Sequence, residues 1–173
     1  NEMVSNNIHW NDLVSLGIEP LSGQLYGVTS EGDVVSEESC YDFDSIPEVG
    51  DIVKVDMENN HGLLLRFDGI VVSFAPTSAY DASESTPIIF NYAVEDIACG
   101  YDFNVAVDGS QNLLFWGAPN PEVQYGYLGL PFSGGFVSID AFGNTVGAIT
   151  NNGEIVVWGE DQGGVVSLAP STF

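Results

Sequence analysis

Basic side chains are almost missing from this chain. Lys54 and Arg66 are the only two, against 25 Asp and Glu, and the formal net charge is −23. Binding a nucleic acid means neutralising phosphates, and two cations cannot do that. An anionic membrane surface would repel the chain for the same reason. Charged residues total only 16%, so the imbalance reflects missing bases rather than an acidic tail. The acids are spread along the chain and mostly sit in turn-like stretches. An acidic solvated surface, a basic protein partner and cation binding all remain compatible with this pattern.

Other absences narrow the function. No apolar run approaches the ~18 residues that a membrane helix needs. His9 and His61 are the only histidines and neither stands in a metal-ligand pattern. Neither a Gly-x-Ser-x-Gly elbow nor a phosphate loop nor Cys-x-x-Cys occurs. The carboxylate pairs Asp42/Asp44 and Asp81/Glu84 lack the Asp-x-Asp-x-Asp-Gly loop of a calcium site. Turn capping is the expected work of these acids, and of Glu160 and Asp161. No catalytic, cofactor-binding or metal-ligating residue is therefore assigned, and the chain is expected not to be an enzyme. Cys40 and Cys99 are the only cysteines. They are expected to be two buried thiols; a disulfide, which an extracellular setting would favour, is the alternative.

What the chain does have is a repeat. Asn112-Leu113-Leu114-Phe115-Trp116-Gly117 and Gly153-Glu154-Ile155-Val156-Val157-Trp158-Gly159 are two copies of one pattern, with their tryptophans 42 residues apart. Another 42 residues back lies Phe74, in Gly69-Ile70-Val71-Val72-Ser73-Phe74-Ala75-Pro76, and Gly32-Asp33-Val34-Val35-Ser36-Glu37 is a degraded fourth copy. Two apolar runs precede each copy: Asp12–Gly17 and Leu25–Val28, Asp51–Val55 and Leu63–Leu65, Val94–Gly100 and Asn104–Val107, Phe136–Asp140 and Thr145–Ile149. Glu31-Gly32, Asp68-Gly69, Asp108-Gly109 and Asn152-Gly153 precede the third runs and predict two-residue hairpin turns. Each repeat thus reads strand, strand, tight turn, strand, with room for a fourth strand. A period of 20–50 residues signals a propeller, solenoid or array. No helical periodicity competes with it.

This grammar resembles the repeat of the regulator-of-chromosome-condensation family of β-propellers: an apolar strand, Gly-x-x-His-Ser-Leu-Ala-Leu, an Asp-Gly turn, an apolar pair and Trp-Gly. The third repeat, Ile97 to Val107 with Leu113 to Gly117, matches best. The fourth has Asn144 at the family's His position. The second keeps His61 there, which the resemblance assigns to a hydrogen bond within the blade. The family's nucleotide-exchange and chromatin-binding residues find no counterpart. The expected fold is all-β, a propeller-like array of about four small antiparallel blades. Residues 1–173 form one domain, with repeats at roughly 10–45, 50–90, 93–133 and 134–173.

Phe74, Trp116 and Trp158 share one phase of the repeat, which predicts packing between adjacent blades; stacking of a sugar is the alternative. Tyr125, Tyr127, Leu128, Leu130, Pro131 and Phe132 make an apolar loop, either a partner contact or simply the crossing between blades. Val165 to Leu168 reads as a strand that pairs with the first repeat or with a neighbouring subunit. The start Asn1-Glu2-Met3 suggests a cleaved signal, a processed precursor or a trimmed chain. Together these features suggest a non-enzymatic structural or recognition subunit of a virion or extracellular assembly, with a protein partner or homo-oligomer. No nucleic acid, membrane insertion or cofactor is expected. A carbohydrate-binding propeller lectin and an intracellular acidic interaction or inhibitor module are the alternatives.

Overall fold

The structure, a computed structural model, describes residues 12–18, 25–36, 51–58, 61–74, 86–88, 90, 93–117, 135–161, 164 and 166–167. His9, Cys40, Asp42, Asp44, Asp81, Glu84 and the loop from Tyr125 to Phe132 fall outside these residues.

The apolar runs rich in Val, Ile, Leu and Phe form strands, as their β-propensity dictates. Four antiparallel sheets result. Blade 1 comprises β1 (Leu13–Ile18), β2 (Leu25–Thr29) and β3 (Val34–Ser36). Blade 2 comprises β4 (Ile52–Glu58), β5 (His61–Arg66), β6 (Val71–Phe74) and β7 (Thr86–Ile88). Blade 3 comprises β8 (Val94–Cys99), β9 (Phe103–Asp108) and β10 (Leu113–Gly117), and blade 4 β11 (Phe136–Phe142), β12 (Thr145–Thr150) and β13 (Ile155–Gly159). There is no α-helix among the described residues. The expected fourth strand is β7, in blade 2. The first strands of consecutive blades pack side by side, β1 on β4, β4 on β8 and β8 on β11. This is the radial stacking of a β-propeller.

The repeat is reproduced down to its irregularities. Each first strand carries a bulge one residue after its start, at Val14, Val53, Glu95 and Val137. The second-to-third-strand turns correct the two-residue hairpins read from the sequence. A two-residue type I′ turn needs two residues of positive φ, and each turn has one: Gly32 (85°), Gly69 (80°), Gln111 (66°) and Gly153 (82°). The four are three-residue loops closed by a left-handed residue. Thr29 accepts from the Gly32 amide at 3.0 Å, Arg66 from Gly69 at 2.9 Å, Asp108 from Gln111 at 2.8 Å and Thr150 from Gly153 at 2.9 Å. In blade 3 the left-handed residue is Gln111, not the Gly109 that the Asp-Gly pair suggested.

Trp-Gly has its own cause. Gly117 and Gly159 have φ of 111° and 113°. A Cβ at Gly117 would sit 2.8 Å from the Asp102 carbonyl oxygen, and one at Gly159 2.1 Å from that of Asn144. Only glycine lets the third strand leave the sheet so close to the second.

The core lies between blades. Tyr26 and Val28 of blade 1 pack with Ile52, Val55, Met57, Leu64, Val72 and Phe74 of blade 2. Leu63, Leu65 and Val71 of blade 2 pack with Val94, Ile97, Cys99 and Ala106 of blade 3, where Leu114 and Trp116 join them. Phe103, Val105 and Val107 of blade 3 pack with Phe136, Ile139, Val146, Ala148 and Trp158 of blade 4. Phe74, Trp116 and Trp158 therefore each face the preceding blade, as their shared phase predicts. Of the strand expected at Val165 to Leu168, only Val166 and Ser167 are among the described residues, and they are not in a strand. They form a turn whose amides donate to Asp161 Oδ1 at 2.9 and 3.2 Å. The Asp161 carboxylate satisfies the donors that a β partner would have taken.

Candidate functional site

The array has two ends. One carries the starts of the first strands and the hairpin loops between second and third strands. Asp12, Glu31, Asp33, Asp51, Asp68 and Glu95 are exposed there, and Phe67 projects from the blade 2 loop with 83% of its surface exposed. The opposite end carries the first-to-second-strand turns, with exposed Tyr101, Asp102, Phe142, Glu160 and Asp161.

Hydrogen bonding fixes the hairpin end. The loop's first residue caps its own turn where it can: Thr29 Oγ1 accepts from the Glu31 and Asp33 amides, and Thr150 Oγ1 from that of Glu154. Asp108 Oδ1 accepts from the Ser110 and Asn112 amides, both at 2.8 Å. Blade 2 has Arg66 at this place, and Asp68 Oδ1 takes over by accepting from the Ile70 amide at 3.2 Å. Turn capping is thus real work for these acids. The Phe67 amide donates to the Asp51 carbonyl at 2.8 Å, tying the projecting ring to the start of β4. Burial pushes the Asp108 carboxyl up, but bonds from Asn112 and Ser110 outweigh it and hold the group below the usual carboxylate range.

Both cations are occupied by carboxylates. Arg66 Nη2 donates to Asp68 Oδ2 at 2.9 Å. Lys54 Nζ donates to Asp96 Oδ1 in the next blade. Asp96 is buried, and its Oδ2 accepts from Ser138 Oγ at 3.0 Å and the Ile139 amide at 2.8 Å in the blade beyond. Ser15, Lys54, Asp96 and Ser138 hold one register of the four innermost strands, as the pairing with Val28, Leu65, Val107 and Ile149 shows. Asp96 therefore links blades 2, 3 and 4. Two residues along β4, Asp56 Oδ2 accepts from the Cys99 amide at 2.6 Å. Burial raises the Asp56 carboxyl to about 7; the Cys99 amide and Lys54 pull against this, and Asp140 adds to it. Cys99 is a free, buried thiol donating to the Asp56 carbonyl at 3.4 Å. Its ionisation is pushed well up by burial and by Asp56 and Glu58, so it has no thiolate character.

His61 does not do what the resemblance implied. Its Nε2–H donates to Asn104 Oδ1 on the next blade at 3.0 Å, so the bond joins blades rather than closing one. Burial lowers its protonation below the ordinary value, so the ring is neutral at pH 7. Register also moves the family's His position. Gly62, Asn104 and Val146 are equivalent through their pairing with Phe74, Trp116 and Trp158. His61 thus corresponds to Phe103 and Thr145, and Asn144 lies one residue earlier, in the turn. Among the described residues no three His, Cys, Asp or Glu side chains could hold a metal ion. Trp158 is 2% exposed and offers no ring face to a sugar.

Solved structures share this architecture. Human WBSCR16 superposes with a TM-score of 0.62 at 17% identity, over 86% of this chain and 48% of its own. Yeast RCC1 (Prp20), solved with Kap60, gives 0.59 at 16% identity over 85% and 44%. The β-propeller domain of Myceliophteria thermophila Cps50 (Swd1) gives 0.55 at 13% identity over 86% and 53%. The fold is a β-propeller. At these identities the likeness speaks to the fold alone, and the chain spans about half the length of each of these proteins. No protein-family model and no curated protein sequence matches it.

Proposed function

We propose that this protein is a non-enzymatic recognition module that binds a basic segment of a protein partner on its hairpin end. One observation carries the reading. Phe67, 83% exposed, stands among the exposed carboxylates Glu31, Asp33, Asp51, Asp68 and Glu95, and the one cation nearby, Arg66, is paired with Asp68. An aromatic anchor within a field of single sign supplies both affinity and steering to a partner of opposite charge. Yeast RCC1, of similar fold, was solved with a protein bound, which supports protein recognition as a use of such a scaffold. The setting we favour is a virion or an extracellular assembly, where a polar surface nearly free of lysine has its place.

Fluorescence anisotropy with Lys/Arg-rich peptides tests this. The expected result is binding that weakens steeply as salt rises and that loses about tenfold on Phe67→Ala. Binding unaffected by Phe67→Ala, or none to any basic peptide at low salt, would overturn the proposal. A positive glycan array would favour the lectin alternative instead.

A further inference from the structure

The repeat makes every interior blade face interpretable, and so also the two faces at the ends of the array. Each blade receives its predecessor on two positions of its first strand. In blades 2, 3 and 4 these are Val55 and Met57, Ile97 and Cys99, Ile139 and Ala141. The first five are at most 3% exposed, and Ala141 packs on the same cluster as Ile139. Blade 1 carries Leu16 and Ile18 at these positions, and they are 53% and 57% exposed. The blade 1 surface keeps the apolar pair of an interblade contact, and among the described residues no blade precedes it.

Blade 4 mirrors this. Val28, Leu65 and Val107 face the following blade and are at most 2% exposed; their equivalent Ile149 is 42% exposed, with Ile155 beside it in the pairing. The two end faces also match in size. At the interface of blades 3 and 4, Val105 and Ala141 belong to one cluster. The equivalents at the ends are Gly147, with no described residue within 4 Å of an added Cβ, and Ile18. The smaller residue on one face answers the larger on the other.

Polar groups follow the same logic. Gly32, Gly69 and Gln111 carbonyls accept from the first-strand amides of Ile52, Val94 and Phe136 in the next blade, at 3.3, 3.1 and 2.9 Å. Gly153 and Leu13 are the corresponding acceptor and donor at the ends. Asp56 accepts the Cys99 amide, and Asp140 and Ile18 occupy the equivalent places.

We infer that two copies of this chain close into one ring, blade 4 of each seated on blade 1 of the other. A head-to-tail contact closes only if its rotation sums to a full turn. The chain covers about half the length of WBSCR16, Prp20 and Cps50, so two copies supply about as much chain as one such propeller. Such a ring has two identical interfaces and leaves no open end. This goes beyond the proposed recognition role and does not depend on it.

Native mass spectrometry and sedimentation velocity at about 0.15 M salt read the result directly. The expected species is a dimer of twice 18.5 kDa. Leu16→Asp and Ile149→Asp should each give monomer with unchanged β-type circular dichroism, and Phe67→Asp should leave the dimer intact. Mixing the Leu16→Asp and Ile149→Asp chains should restore a dimer at least tenfold weaker than the unsubstituted one, since one interface of the two remains native. An unfolded variant could not recombine in this way. Lowering salt to about 0.01 M should weaken the dimer, because both copies are strongly acidic. A monomer at tens of micromolar protein, which would mean that something else covers the end faces, would overturn the inference. So would open filaments, or a dimer indifferent to both face substitutions.

Discussion

Blade 3 and blade 1 are built from the same repeat and differ most in what surrounds them. All six residues of β9 are buried, because blades 2 and 4 cover both faces. In β1 half-buried residues alternate with exposed Val14, Leu16 and Ile18. Leu16 and Ile97 occupy equivalent positions and are chemically alike, yet one is 53% exposed and the other 0%. Exposure here is set by the blade's place in the array and not by the strand's own composition. A repeat protein is stable through its interfaces between neighbours, so the centre and the ends of this chain should respond differently to the same kind of insult.

The sharpest contrast is expected in side-chain truncation. Trp158→Ala removes a buried ring from the blade 3–4 cluster and should cost about 3–5 kcal/mol in chemical denaturation. Leu16→Ala, on the uncovered face, should cost well under about 1 kcal/mol to a single chain. A stable Trp158→Ala variant with native circular dichroism would break the distinction.

Next in size is a pH effect at the blade 2–3 interface. The folded Asp56 carboxyl keeps its proton to about pH 7, whereas the ordinary value is 3.8. Between those values the folded state binds more protons, so stability is greatest below the lower one and falls as pH rises toward the upper. The loss should be on the order of a few kcal/mol. Melting at pH 7.5 should come below melting at pH 5, and Asp56→Asn should flatten that slope. Asp108 has the opposite sign. Its lowered value gives stability that is present at neutral pH and lost as pH falls through it.

Two glycines of positive φ, Gly153 (82°) and Gly159 (113°), give a smaller, more local contrast. An alanine at Gly159 would meet the Asn144 carbonyl, whereas at Gly153 no described residue lies within 4 Å. Gly153→Ala should cost only the left-handed conformation, about 1–2 kcal/mol, and Gly159→Ala clearly more. Smallest is salt. Raising sodium chloride from about 0.01 to 0.1 M should raise the melting temperature by shortening the screening length from about 30 to 10 Å. Calcium and magnesium should act alike at matched ionic strength. A large shift with calcium alone would point to a bound ion instead.

The array itself was legible because its cause is local. Trp-Gly recurs at Trp116 and Trp158 since the glycine must adopt a positive φ against a neighbouring backbone, and that need leaves a mark in the residues. The shared phase of Phe74, Trp116 and Trp158 likewise follows from strand alternation. Gln111 was not legible, since a left-handed residue is normally betrayed by glycine or asparagine and Gly109 stood nearby as a decoy. The place of Asn144 was misjudged by one residue because a short turn conceals register. His61 was expected to bond within its blade, but its partner, Asn104, lies 43 residues away. Phe67 and the end faces were invisible for a different reason. Whether an apolar residue is covered depends on the neighbouring blade, which a strand's own pattern does not describe.

The carbonyls at the left-handed turn residues carry one more implication. The amides of Ile52, Val94 and Phe136 do not report on their own blades; each is held by the loop of the blade before it. Their exchange with deuterium is therefore a readout of docking, blade upon blade, independent of whether the sheet that contains them is formed. Loss of one blade would unlock one of these amides and leave the ladder beneath it slow. The chain thus carries built-in sensors at each of its internal seams, and the order in which they become protected during refolding gives the order in which the seams close.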